Sequence, residues 1–230
     1  MPRSFSDLVL PSAVLWDMDG TLIDTEPHWM AAETELVEAH GGVWTHQDGL
    51  SLVGNPMMVS AQVLQDRGVD LPLEEIVDFL NRQVAAAVAA EMPWQPGALQ
   101  VLTDLHDAGV PLALVTSSFR ILAEPFATAV GLFDVVVTGD EVAHPKPDPE
   151  PYLTAARLLG VEVADCVAVE DSRAGIASAI ASGAHAVAIE VMQRVAARPG
   201  LTRIASLSDL TLPTLARIAG GEVLDLRRAG

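Results

Sequence analysis

Five stretches of the chain are apolar without polar alternation: 13–16 (AVLW), 110–116 (VPLALVT), 133–139 (FDVVVTG), 166–171 (CVAVED) and 185–191 (HAVAIEV). Runs of this length, rich in Val, Leu and Ala, predict strands buried on both faces. Between them lie helical patterns at 97–109, 121–131, 150–160 and 173–183, each closing on a glycine suited to a helix C-terminus. Strand and helix in alternation predict an α/β fold, a Rossmann-like parallel sheet with helices on both faces.

One interval breaks the alternation. Between Asp24 and Pro96 no stretch reads as a strand, and helical patterns occupy about 26–40, 57–67 and 72–91. The expected organisation is an α/β core formed by residues 1–24 and 95–230, with residues 25–94 inserted as a small helical domain. Proline-containing stretches, DTEP at 24–27 and PWQPG at 93–97, form the expected hinges.

Composition narrows the picture. With half of its residues hydrophobic, the 230-residue chain can bury a full core. No apolar run reaches the roughly 20 residues of a membrane span, and the N-terminus lacks the pattern of a signal peptide, so a soluble cytoplasmic protein is expected. The formal net charge of -18 excludes nucleic acids and anionic membranes as partners, because both are polyanions. The single cysteine, Cys166, lies in an apolar run and reads as a small buried hydrophobe. Among the thirteen basic residues, Lys146 is the sole lysine.

The candidate chemistry lies where the apolar runs end. The first ends at Asp17 and Asp19, followed by Gly20; the second at Thr116, Ser117 and Ser118; the fourth at Glu170 and Asp171. Open parallel sheets bind ligands beyond the carboxyl ends of their strands, so these groups converge on one edge. Four acidic groups there require a cation, and an all-oxygen set suits Mg²⁺. Other chemistries fit less well. Position 28, where a calcium loop opened by Asp17 would need glutamate, holds His28. Ser117 and Ser118 have no neighbouring base, the histidines have no paired spacing for zinc, and no Gly-Lys pair forms a P-loop.

The set DMDGT at 17–21, Thr116 after LALV, Lys146 in HPKPDP and the pair Glu170-Asp171 resembles, in order and spacing, the haloacid dehalogenase superfamily. The insertion resembles the helical cap of its β-phosphoglucomutase and sugar-phosphate phosphatase subgroup. That resemblance implies roles. Asp17 would attack phosphorus, Asp19 would serve as acid and then base, and Gly20 would let the backbone approach the phosphate. Thr116, Ser117 and Lys146 would hold the phosphoryl oxygens. Mg²⁺ would sit on Asp17, the Asp19 carbonyl and Asp171, with Glu170 as a direct or water-mediated partner.

The function implied is Mg²⁺-dependent hydrolysis of a small-molecule phosphate ester, a sugar or polyol phosphate, through an aspartyl phosphate, by a monomer or weak oligomer. A phosphomutase is the alternative, and a non-catalytic phosphate-binding protein the alternative outside that class. A mutase needs a cap cation for its second phosphate. The two positions that match the mutase pattern hold Trp29 and Met57, while His28, Arg67, Arg82 or Arg120 remain as substitutes. Trp29, Met57 and Met58 read as core more readily than as site.

Overall fold

The computed structural model describes residues 9–191 and 194–227; residues 1–8, 192–193 and 228–230 of the expected core lie outside the described residues. Its strands are β1 (Ala13–Trp16), β2 (Leu112–Val115), β3 (Val135–Val137), β4 (Cys166–Glu170), β5 (His185–Ile189) and β6 (Thr202–Ile204). They form one sheet in the order β3-β2-β1-β4-β5-β6, and every pairing is parallel. The five expected strands are present. β6 was not expected, because its three residues, TRI, are too short to carry a period.

The helices are α1 (Glu26–Ala39), α2 (His46–Leu52), α3 (Met57–Asp66), α4 (Leu73–Ala90), α5 (Ala98–Asp107), α6 (Arg120–Val130), α7 (Glu150–Leu159), α8 (Arg173–Ser182) and α9 (Leu212–Ala219). α2 and α9 are additions to the expected set. Both begin at a threonine whose side chain accepts the hydrogen bond of a first-turn N–H, Thr45 from Asp48 and Thr211 from Thr214. At Thr45 the Asp48 carboxylate answers from the other side, completing a capping box.

Side-chain alternation along each strand divides the core in two. Val14, Trp16, Leu112, Leu114, Val167 and Val169 pack with Leu102 and Leu105 of α5 and Leu122 and Phe126 of α6. Ala13, Leu15, Ala113, Val115 and Ala168 face the opposite way, against Tyr152, Ala155 and Ala156 of α7 and Ile176 and Ala179 of α8. Alanines on both partners bring α7 and α8 close to the sheet.

The inserted helices have an apolar core of their own, built on Leu36, Val37, Trp44, Leu64, Ile76 and Leu80. α4 joins it to the main core, since Val84 and Val88 further along the same helix belong to the core cluster that includes Leu122 and Phe126 of α6. Trp29 packs against both clusters. The two connections run side by side: Asp24 N–H donates to Pro93 O at 2.8 Å and Gln95 N–H to Leu22 O at 2.9 Å. No helix of the described residues is long and apolar enough to cross a membrane.

β1 lies between β2 and β4, with Trp16 opposite Leu114 on one side and Val169 on the other. The residues after these three strands therefore meet at one edge. This is the point where strand order reverses direction, where open α/β sheets bind ligands.

Candidate active site

Asp17 is the first residue beyond β1, and its N–H still donates to Val169 O at 3.1 Å. The chain then turns at Gly20, where φ is +82° and an added Cβ would stand 2.2 Å from Asp171 Oδ2. Only glycine fits there on both counts.

Lys146 is buried and all three of its ammonium protons are placed. Nζ donates to Asp17 Oδ1 at 2.7 Å, Glu170 Oε1 at 2.6 Å and Val115 O at 2.8 Å. Burial alone would lower its pKa, but the carboxylates of Asp17 and Glu170 outweigh burial and raise it, so the ammonium stays charged. Glu170 is itself fully buried and accepts a second hydrogen bond on Oε1 from the Tyr152 hydroxyl, at 2.7 Å. Ser172 Oγ donates to its other oxygen at 3.2 Å. Gly175 makes room for that carboxylate, since a Cβ would lie within 2.0 Å of all three of its terminal atoms.

Asp17, Glu170 and Asp171 offer oxygens within 4.8 Å of one another. Burial, then the charges of Asp17 and Glu170, push the Asp171 carboxyl well above the usual carboxylate range. A divalent cation would remove that penalty, and the donors are all oxygen. The Asp19 carbonyl oxygen accepts no hydrogen bond among the described residues. These features fit Mg²⁺ at the positions expected from sequence. Glu170 departs in emphasis, because both of its oxygens are already engaged by protein donors.

Asp19 is surrounded by donors. Thr25 Oγ1 donates to Oδ1 at 2.6 Å and Trp29 Nε1 to the same oxygen at 3.3 Å. Ser118 Oγ donates to Oδ2 at 2.7 Å and Thr116 Oγ1 at 3.3 Å. Burial raises the Asp19 pKa, the neighbouring Asp17 adds to the rise, and the hydroxyl and indole donors oppose it. Thr116 is anchored by its own N–H to Val137 O and accepts from Ser118 N–H at 2.9 Å. Ser117 turns back against Gly139, where a Cβ would meet Ser117 O at 2.1 Å.

These groups open into one cavity of about 280 Å³. Its floor is Asp17, Asp19, Thr116, Ser117, Ser118, Lys146 and Asp171, and its roof is α1, the α2–α3 loop and the start of α3. Trp29, Met57 and Met58, expected mainly as core, line this cavity, so that expectation is corrected for the part of each side chain that faces it. Trp29 does so because its indole has an apolar body and a polar tip, and the tip reaches Asp19. The arginines considered as cap cations lie elsewhere: Arg67 pairs with Asp48 and stacks over Trp44, Arg82 pairs with Asp78, and Arg120 pairs with Glu141. Sequence reasoning missed Thr25, Tyr152 and the two glutamates of α1 below, and it placed Ser118 at this edge without its bond to Asp19. Tyr152 had a signal available, as the chain's sole tyrosine.

Two carboxyls of α1, Glu26 and Glu33, also line the cavity. Burial pushes each up to about 7; Asp19 and Asp24 add to the rise at Glu26, and at Glu33 the Trp44 indole hydrogen bond opposes it. The folded protein thus binds the Glu33 proton more tightly than the unfolded chain does. Stability is lost as pH rises from the ordinary 4.5 through about 7. Glu33→Gln, which keeps an oxygen for Trp44, is expected to stabilise the protein by about 2 kcal/mol at pH 8, and by far less at pH 5. Urea melts at the two pH values check this, and equal stabilities at pH 8 would contradict it.

The family model for haloacid dehalogenase-like hydrolases matches residues 11–183. The chain is 33% identical to validoxylamine A 7'-phosphate phosphatase of Streptomyces hygroscopicus subsp. limoneus over 76% of this chain and 84% of that protein. It is 32% identical to hexitol phosphatase A of Escherichia coli (strain K12), over 76% and 81%. The crystal structure of CbbY from Rhodobacter sphaeroides in complex with phosphate superposes with a TM-score of 0.81 at 27% identity, covering 90% of this chain and 99% of that one. A mutant of the same protein, in complex with xylulose-(1,5)bisphosphate, superposes with a TM-score of 0.80 at 26% identity over the same shares.

Proposed function

The chain belongs to the haloacid dehalogenase-like hydrolases, and from that premise we propose that it is a Mg²⁺-dependent phosphatase of sugar or polyol monophosphates that works through an aspartyl phosphate on Asp17. One observation carries the reading: Asp17, bonded to Lys146, and Asp19, bonded by Thr116 and Ser118, stand on the floor of one cavity. The phosphatase relatives support the reaction class.

Asp17 Oδ1 is held by Lys146, while Oδ2 accepts no hydrogen bond among the described residues and is free to attack phosphorus. As the new P–O bond forms, the bond to the leaving oxygen breaks, and Asp19 passes its proton to that oxygen. Its raised pKa suits this first role. The carboxylate left behind then takes a proton from the water that attacks the aspartyl phosphate at phosphorus, releasing phosphate and restoring Asp17. Thr116, Ser117 and the backbone N–H groups around Gly20 supply donors to the phosphoryl oxygens. Asp17, Asp171 and the Asp19 carbonyl would hold the metal, which when bound supplies charge neutralisation for the phosphoryl group.

Residues 25–94 act in this reading as a cap that excludes water, with the paired connections at 22–24 and 93–95 as its hinge. Phosphatase is favoured over mutase because the cap side of the cavity presents carboxyls and apolar groups where a second phosphate would need a cation. The test is Mg²⁺-dependent release of phosphate from an aryl phosphate and from a panel of sugar and polyol monophosphates, ranked by kcat/KM.

Lys146→Ala is expected to lower kcat by about 10²- to 10³-fold, as loss of a preorganised charged donor does. Lys146→Arg should not restore it, because a planar guanidinium does not fit a pocket shaped for three bonds to a compact ammonium. Steady-state kinetics of both variants check this; wild-type kinetics in the arginine variant would contradict it.

A further inference from the structure

We propose that Glu33 determines leaving-group specificity: its carboxyl receives a hydrogen-bond donor, hydroxyl or ammonium, at the end of the substrate remote from phosphorus, and rejects substrates with a second anion there. The proposal rests on the phosphatase reading of the cavity floor. Glu26 and Glu33 are seven residues apart on α1, so they share one helix face, about 10 Å apart along the axis. Both line the cavity whose floor holds Asp17 and Asp19. Asp19 must meet the leaving oxygen, so the remainder of the substrate points to the cap.

Glu33 is only 5% exposed. Trp44 Nε1 donates to Oε2 at 3.1 Å, and no other hydrogen bond reaches this carboxyl among the described residues. Gly49 of α2 closes over it, leaving a would-be Cβ 3.3 Å from Oε2. A buried carboxyl with one donor for two oxygens is costly, and a ligand that supplies another donor relieves the cost. The cap side of the cavity is lined by Leu52, Val53, Met57 and Leu80 together with the uncharged polar groups of Asn55 and Ser60, neither of which bonds Glu33 among the described residues. Lys146 is the one cation among the lining residues, and its protons are all engaged at the floor. A phosphate or carboxylate placed beside Glu33 would be desolvated next to like charge; a hydroxyl or ammonium would not.

Three esters that differ only at carbon 1 isolate this contact: glucitol 6-phosphate, 1-amino-1-deoxyglucitol 6-phosphate and gluconate 6-phosphate. Each is titrated as a competitor of p-nitrophenyl phosphate hydrolysis with Mg²⁺ at pH 8, in the wild type, Glu33→Gln and Glu33→Asp. In the wild type the inhibition constant of gluconate 6-phosphate should exceed that of glucitol 6-phosphate by about 30-fold or more. The ratio should fall to within about 3-fold in Glu33→Gln and persist in Glu33→Asp, which keeps the charge. A wild-type preference for the amine of about tenfold or more assigns the donor as ammonium, and a smaller one as hydroxyl. Equal ratios in the wild type and Glu33→Gln overturn the proposal while leaving the phosphatase reading in place. Failure to hydrolyse the aryl ester overturns both.

Discussion

Asp17→Asn is expected to lower kcat by about 10⁵-fold or more, the largest effect of any single substitution in this protein. The amide keeps the shape of the side chain, so β1 and the turn at Gly20 should remain in place. It removes the nucleophilic oxygen altogether, and neither Thr116 nor Ser118 can replace it, because both hydroxyls are directed at Asp19. Their remaining role, to position an ester beside Asp19, accounts for whatever rate survives. Lys146 retains Glu170 and Val115 O as partners in the variant, so its charge is not stranded. Steady-state turnover of an aryl phosphate, beside a thermal melt to confirm folding, measures this. Activity within tenfold of the wild type would show that another group attacks phosphorus.

Removal of the divalent cation should be nearly as severe. Excess chelator is expected to abolish turnover, and Asp171→Ala to reduce it by about 10³-fold with a raised Mg²⁺ requirement. A readout apart from activity follows from electrostatics. In the metal-free protein Asp171 is half-buried beside the charges of Asp17 and Glu170, so its pKa is raised and its ionised form destabilises the fold at neutral pH. In chelator, Asp171→Ala should therefore melt above the wild type. Mg²⁺ should raise the melting temperature of the wild type and leave that of the variant nearly unchanged, since a ligand stabilises only the state that binds it. A wild type whose melting is indifferent to Mg²⁺, together with full turnover in chelator, would contradict the metal assignment.

What the sequence made legible followed from repetition and rarity. β1, β2 and β4 announced themselves as unbroken apolar runs because a central parallel strand is buried on both faces, and their polar ends were readable for the same reason. Lys146 stood out as the sole lysine, and its three buried bonds account for an ammonium at that position. The elements that escaped were short or irregular. α2, HQDGLSL, has a glycine and no apolar period, and forms where the Thr45–Asp48 capping box supplies its first turn. β6 completes the sheet edge with three residues, one of them arginine.

The missing parts of the candidate site are tertiary facts. Ser118 reaches Asp19 across 99 positions of sequence, and Tyr152 reaches Glu170 from α7, which packs on β1, β2 and β3. Trp29 resembles any apolar residue on a helix until its Nε1 is seen on Asp19. Glu33 is one of several acidic residues on α1, alongside Glu26, Glu35 and Glu38, and only the closure of α2 over it marks it apart.

The central claim is that the phosphoryl group passes through Asp17. Quenching the enzyme in acid while it turns over p-nitrophenyl phosphate, then mapping peptides by mass, locates that group directly. The account predicts one phosphorylated peptide, the one containing Asp17, with its label lost when substrate is exhausted. Phosphate release in the same samples with the label on another residue, or with no labelled peptide at all, would contradict it.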